Sequence, residues 1–375
     1  MPNYRRVLGL LSFHRYAFPA VRRALTPAPG SVTMPKRSVL NPAAAGSLGG
    51  SMEVLESGRG RLLQTPDLDG LRRWNREHKS MALVDKLVDE HEAVRRCIDD
   101  GDYIGFELYG TCRAPLSIVR EIVRQGRRHL RLVGQGLQDV DWLVAAGMVD
   151  AMDITYNAYE VHGLSSVLRR AVEKQGLEVV EWSNAGIAWR FKAAAMGVPF
   201  LPIKSMLGTD TFVRSAGKVT EDPFGNGRVM LLPALVVDCA VIHVHRADRF
   251  GNCQLDGISG FALEIARASR KVLISAEEIV DTETIRQYPE RNVIPYFLVD
   301  AVVHAPFGSH PGEMPYLYGR DEPSTLAWLE SAKTLEGTEA FLDQTMRRLP
   351  NHAAYLELIG GAAKQAELRA LAVGR

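Results

Sequence analysis

From residue 81 onward the apolar positions alternate between two periods, and the alternation predicts a chain of helices and strands. Leu83, Leu87, Val88, Val94 and Cys97 keep the spacing of one helix face, which predicts a helix over 84–98. Gly101 and Asp102 stop it, and 103–109 reads as a strand. Pro115 then opens a helix at a position where its missing N–H costs nothing, with Leu116, Val119, Ile122 and Val123 as the buried stripe. Further strands are expected at 130–133, 151–155, 177–181, 200–203, 229–232, 240–245, 271–275 and 299–303. Helices are expected between most of them, at 140–146, 164–174, 186–196 and 259–267. Repeated strand–helix–strand units imply an α/β fold: a mostly parallel sheet covered by helices on both faces. From Glu322 the pattern turns helical to the end of the chain, giving a helical C-terminal tail.

The first 80 residues do not fit this alternation. Residues 1–52 carry seven basic side chains (Arg5, Arg6, Arg15, Arg22, Arg23, Lys36, Arg37) and no Asp or Glu. Six prolines from Pro2 to Pro42 interrupt any long helix, and residues 43–50 are a run of small residues. This composition fits an organellar transit peptide, or a disordered extension with the true start at Met34, Met52 or Met81. Residues 1–80 are therefore set apart as an N-terminal extension, with the folded domain expected over 81–375. Removing the seven leader cations from 45 basic residues leaves 38 against 44 acidic ones, a balance of −6. An acidic body argues against nucleic-acid binding. No apolar run approaches the roughly 20 residues that span a bilayer. The four cysteines (Cys97, Cys112, Cys239, Cys253) show no Cys-x-x-Cys spacing, as in a reduced, cytoplasmic protein without a structural zinc site.

Candidate chemistry lies in the loops that follow strands, where open α/β sheets bind ligands. The segment 304–319 leaves an apolar strand and holds His304, His310, Ser309, Tyr316 and Tyr318 among prolines and glycines. Tyr109, Gly110, Thr111, Cys112 and Arg113 precede a helix start, where backbone N–H groups can hold an anion or a developing oxyanion. Gly134-Gln-Gly136 is a weak phosphate-loop pattern; a dinucleotide fingerprint would need glycine where Asp139 stands. His243 and His245 share one face of a strand, which suits either a metal or ordinary hydrogen bonding, and no third ligand is evident.

Several separated segments resemble the α subunits of class I CoA-transferases, glutaconate CoA-transferase α chains in particular. These are Asp100–Asp102 with the loop to Arg113 and Pro115, then 134–142, 193–202, 247–252 and 277–280, and finally the 299–319 region and the tail. The resemblance implies the sandwich fold shared with ribose-5-phosphate isomerase and a hetero-oligomer with a CoA-transferase β subunit, such as α2β2. It also implies acyl-CoA and a carboxylic acid as substrates, with coenzyme A a substrate and no other cofactor. In that chemistry a glutamate carboxylate attacks the acyl-CoA, passes through a mixed anhydride and ends as a glutamyl-CoA thioester, from which a second acid collects the CoA. The β chain is expected to supply the glutamate. This chain is expected to line the pocket through Tyr109, Gly110, Thr111, Arg113, His162, Ser165, Asn184, Gly251 and Asn252.

Two departures carry their own expectations. Glu107 and Leu108 stand where α chains usually carry a glycine pair, and Glu107 reads as an acid–base group, a selectivity element or the partner of a nearby arginine. Related two-subunit hydrolases of cyclic CoA thioesters carry a glutamate at the place of Asn184. An asparagine has no acid–base capacity, so the position favours a transferase over a hydrolase. The remaining alternative is a ligand-binding relative of the same fold without chemistry.

Overall fold

The computed structural model describes residues 52–107, 111–135 and 140–372. Its elements in chain order are β1 (Glu56–Ser57), α1 (Leu68–His78), α2 (Glu90–Cys97), β2 (Tyr103–Glu107), α3 (Leu116–Gln125), β3 (Leu130–Val133), α4 (Asp141–Ala145) and β4 (Val149–Ile154). Next come α5 (Ser166–Lys174), β5 (Glu178–Glu181), α6 (Asn184–Met196), β6 (Phe200–Ile203), α7 (Asp210–Arg214), β7 (Lys218–Glu221) and β8 (Arg228–Pro233). The chain continues with β9 (Val237–Ala247), β10 (Cys253–Gln254), α8 (Ala262–Arg267), β11 (Ser269–Ile279), α9 (Thr282–Gln287), β12 (Asn292–Ile294) and β13 (Ala301–His304). The tail is α10 (Glu322–Ser331), α11 (Leu335–Leu342), α12 (His352–Leu358) and α13 (Gly361–Ala370).

The main sheet has the parallel order β5-β4-β3-β2-β9-β11-β13, with β10 and β12 added antiparallel beside the end of β9. The middles of its central strands, residues 239–242 of β9 and 272–274 of β11, are unbroken apolar runs because helices cover both faces. Cys239, Val241 and Leu273 face one core with α2 and α3, while Ala240, Ile242, Val272 and Ile274 face the other with α6 and α8. This is the α/β architecture expected, and the tail is helical from Glu322 as expected.

Three expectations are corrected. Strands at 200–203 and 229–232 exist, yet they leave the parallel sheet and form a separate four-stranded antiparallel sheet, β1-β7-β8-β6. The helix placed at 84–98 begins only at Glu90, behind an Asp89 cap. Lys86 to Val88 are extended, because the free edge of β13 takes them in: Val88 N bonds Val302 O and Val302 N bonds Lys86 O, both at 2.9 Å. Finally, 52–80 is not an extension but part of the folded body. β1 pairs with β7, Leu63 and Leu71 are buried in the core, and the Trp74 indole donates to Arg270 O at 2.8 Å. The few apolar anchors among many charges gave this stretch no periodic signature. Residues 1–51 lie outside the described residues.

Candidate active site

The chain leaves β2 toward β3, β4 and β5 on one side of the sheet and returns through β9, β11 and β13 on the other. The crevice at that reversal, outside the carboxyl ends of β2 and β9, is where such sheets bind ligands. Glu107 ends β2 beside Ile242 of β9, so the residue that departs from the family pattern stands at this switch point.

Glu107 is fully buried and paired with Arg113 by two parallel hydrogen bonds of 2.8 Å each. Burial raises its carboxyl pKa above the usual range, and the guanidinium opposes that shift. Gly260, at φ 56°, lies against the pair; a β-carbon there would collide with Glu107 Oε1. Of the three readings of Glu107, the geometry is that of the paired strand carboxylate.

The loop after β2 is knitted to the loop after β13. Arg113 N donates to Glu313 O at 2.9 Å, Glu313 N to Thr111 O at 3.1 Å, and the Thr111 hydroxyl to Glu313 Oε1 at 3.2 Å. Glu277, near the end of β11, joins the same network. Its carboxylate accepts from Phe307 N (2.8 Å), Gly308 N (3.2 Å) and the Tyr318 hydroxyl (2.6 Å), and it meets His243 Nε2 at 2.8 Å. His243 Nδ1 reaches Ser275 Oγ at 2.8 Å. His245 Nε2 faces Pro315 O at 2.9 Å, and burial lowers its pKa to about 4. Both histidines are thus engaged in fixing the rim, and among the described residues no group of three or more His, Cys, Asp or Glu could hold a metal ion. Arg113, Phe307 and Tyr316 all have φ between 55° and 67°, a left-handed backbone that non-glycine residues adopt at a cost. The network of hydrogen bonds holds them there.

The second half of the rim lies over β3, β4 and β5. Ser183 caps α6 and presents Asn184, exposed at its first turn, whose carbonyl accepts from the Gln135 side chain in the loop after β3. Ser165 caps α5 and bonds the buried carboxyl of Asp141, which also accepts from Tyr159 (2.9 Å) and Asn157 (3.2 Å). Burial raises the Asp141 pKa to about 7, and these donors oppose the rise. Ser165 and Asn157 line a cleft of about 690 Å³, floored by Ile154, Leu168 and Val179 and edged by Arg59 from the N-terminal strap.

The sequence-derived residues that are described therefore fall into four groups. Thr111 and Arg113 meet the 305–319 loop, whereas Ser165 and Asn184 border the second half of the rim. His162 bonds Glu322 at the start of the tail. Gly251 and Asn252 shape a turn: Asp248 Oδ1 accepts from both backbone N–H groups at 2.9 Å, and Asn252 Nδ2 donates to Asp248 Oδ2 at 2.8 Å. Tyr109 and Gly110 lie outside the described residues. Glu277 and Asp141 were not among the expected site residues; the signal each gives is its place in a segment that carries the resemblance, near a strand end or at a helix start.

The Coenzyme A transferase family matches residues 89–305, more than half of the chain. The A-type chain of glutaconate CoA-transferase from Acidaminococcus fermentans is 33% identical over 296 residues, covering 74% of this chain and 92% of the relative. The crystal structure of that glutaconate CoA-transferase superposes with a TM-score of 0.71 at 32% identity, over 76% of this chain and 95% of its own. The A-type chain of 3-oxoadipate CoA-transferase from Pseudomonas knackmussii is 34% identical over 267 residues, 70% of this chain and 94% of that one. An uncharacterized protein of Archaeoglobus fulgidus is 43% identical over 321 residues, 85% of this chain and 72% of that protein. The chain belongs to the CoA-transferase family; its relatives include A-type chains of such enzymes and, at 30% identity over 274 residues, a cholesterol ring-cleaving hydrolase subunit of Rhodococcus jostii.

Proposed function

We propose that this chain is the α-type subunit of a two-subunit CoA-transferase that moves CoA from an acyl-CoA to a carboxylic acid. A glutamate of the β-type partner forms the glutamyl-CoA thioester. The observation that carries this reading is the state of the acids around the switch point. Glu107 is locked in a buried ion pair, Glu277 accepts from two backbone amides and a tyrosine, and Glu313 bonds Thr111 and Cys112. A carboxylate so engaged is a poor nucleophile, because its lone pairs are already held by donors. The two halves of the rim then act as walls: the 111–113 and 305–319 loops on one side, Ser165 and Asn184 on the other. Closure by a second chain would exclude water, which otherwise hydrolyses an enzyme thioester.

Asn184, exposed at the start of α6, brings an amide and no carboxylate to the rim, which supports transfer over hydrolysis. CoA itself is the only cofactor-like molecule this chemistry requires. The test is co-expression with a β-type CoA-transferase chain. The complex should transfer CoA between acyl-CoA and free acids and, stopped with borohydride, lose the activity through reduction of a glutamyl thioester on the partner. The isolated chain should be inactive; turnover by the single chain would refute the division of labour.

A further inference from the structure

At the opposite pole of the sheet, far along the strands from the rim, two crossover turns form a second concave site. The turn from α3 into β3 contributes Arg124, Arg127, Arg128 and His129, and the turn from α4 into β4 contributes Ala146, Gly147 and Met148. Arg347 closes the site from the tail, giving a hollow of about 510 Å³. Among the described residues, four arginines and a histidine line it with one acid, Asp150, which His129 meets at 3.1 Å. This concentration of positive charge is set in a body whose own balance is −6.

A helix C-terminus recruits a cation or two to its dipole, and Arg124 in the last turn of α3 answers that need. Arg347 is compensated by Glu339 at 2.6 Å and Asp343 at 3.1 Å, whereas Arg127 and Arg128 are not accounted for in either way. Arg124 Nε bonds Glu121 at 2.6 Å, yet both its terminal nitrogens are buried without a hydrogen-bond partner among the described residues. Arg127 donates from one terminal nitrogen to Gln125 at 3.1 Å, and its buried Nε has no acceptor among the described residues. Neither Arg127 nor Arg128 has a carboxylate partner among the described residues. Buried guanidinium donors left unmade cost free energy that a bound anion would recover. Planar guanidinium forks suit phosphate oxygens, which accept two parallel bonds from each.

We propose that this hollow is a binding site for a phosphate-bearing anion, separate from the rim and independent of the transfer chemistry. The size of the hollow and the number of arginines suit a diphosphate better than a single carboxylate. The probe is sodium pyrophosphate, titrated calorimetrically into the full chain at fixed ionic strength, because exposed charges are screened by salt. Wild type should bind it saturably, and Arg127→Gln/Arg128→Gln should weaken binding by about tenfold or more, the loss of a charge-assisted contact or two. Arg128→Gln alone keeps the test valid if the double variant misfolds, since Arg128 is exposed and its side chain makes no hydrogen bond or ion pair among the described residues. Arg249→Gln, which touches the other pole, should bind as wild type does. Displacement of pyrophosphate by ADP or CoA would assign the hollow to a nucleotide diphosphate, and resistance to both would assign it to the free anion. Absence of saturable binding, or binding unchanged by the arginine variants, would overturn the proposal.

Discussion

The Glu107–Arg113 pair offers the sharpest test of what the departure from the family pattern does. Both side chains are at most 2% exposed, and both hydrogen bonds are 2.8 Å. A solvent-exposed pair contributes about 0–1 kcal/mol. Removing one partner of a buried pair costs about 3–5 kcal/mol, because the other charge is left without compensation. Glu107→Gln keeps the shape and one acceptor but strands the Arg113 guanidinium, so the lower end of that range applies. At about 2.1 cal/mol/K of unfolding entropy per residue, a body of about 320 residues loses about 1.5 °C per kcal/mol. Glu107→Gln should therefore lower the melting temperature by about 4–5 °C. Arg113→Met, which leaves the buried carboxylate without its guanidinium and with the Phe261 backbone N–H, should cost about as much. The double variant Glu107→Gln/Arg113→Met should be less destabilised than the sum of the singles, with a coupling of about 2 kcal/mol or more. Calorimetry on the isolated chain and kcat/KM on the assembled complex, measured across several acids, are the assays. Additive losses would refute the coupling. A collapse of kcat with every acid at an unchanged melting temperature would instead give Glu107 a chemical role.

Two further outcomes follow from the same structure. Deleting residues 1–50 should leave the melting temperature unchanged, whereas deleting 1–80 should lower it sharply, since Leu63, Leu71 and Trp74 go with it; calorimetry of the two truncations decides this. Asp141 has a folded pKa of about 7 against an ordinary value of 3.8, so the folded state holds a proton that the unfolded state releases. Its contribution is complete below about pH 4 and is lost as pH rises toward about 7. Urea unfolding midpoints should carry that downward trend in wild type, with Asp141→Asn flattening it; an unchanged slope in the variant would remove Asp141 as its source.

The elements along the parallel sheet were legible because a central strand between two helical layers must be apolar throughout. The middles of β9 and β11, residues 239–242 and 272–274, stand out as such runs in the chain alone. The family resemblance was equally legible, since the strand-end loops carry their residue types in order. What periodicity cannot convey is which sheet a short strand joins. Phe200–Ile203 and Arg228–Pro233 look like any others, and only their antiparallel pairing with each other places them in the second sheet. The same limit hid the strap from residue 52 to 80, which is held by a few long-range anchors and not by a repeating face.

At the site, the sequence by itself determined the loops and the types of side chain they bring. It did not determine their partners. The Glu107–Arg113 pair could be entertained because the residues are six apart, but Glu277 meets His243 from 34 residues away and Tyr318 from 41. Hydrogen bonds of that reach form only once parallel strands set their ends side by side. Local patterning fixes which segments become strands, while register and crossover order fix which strand-end residues meet. The tertiary structure alone therefore decided that the acids at the switch point are bound into the rim and not free to react.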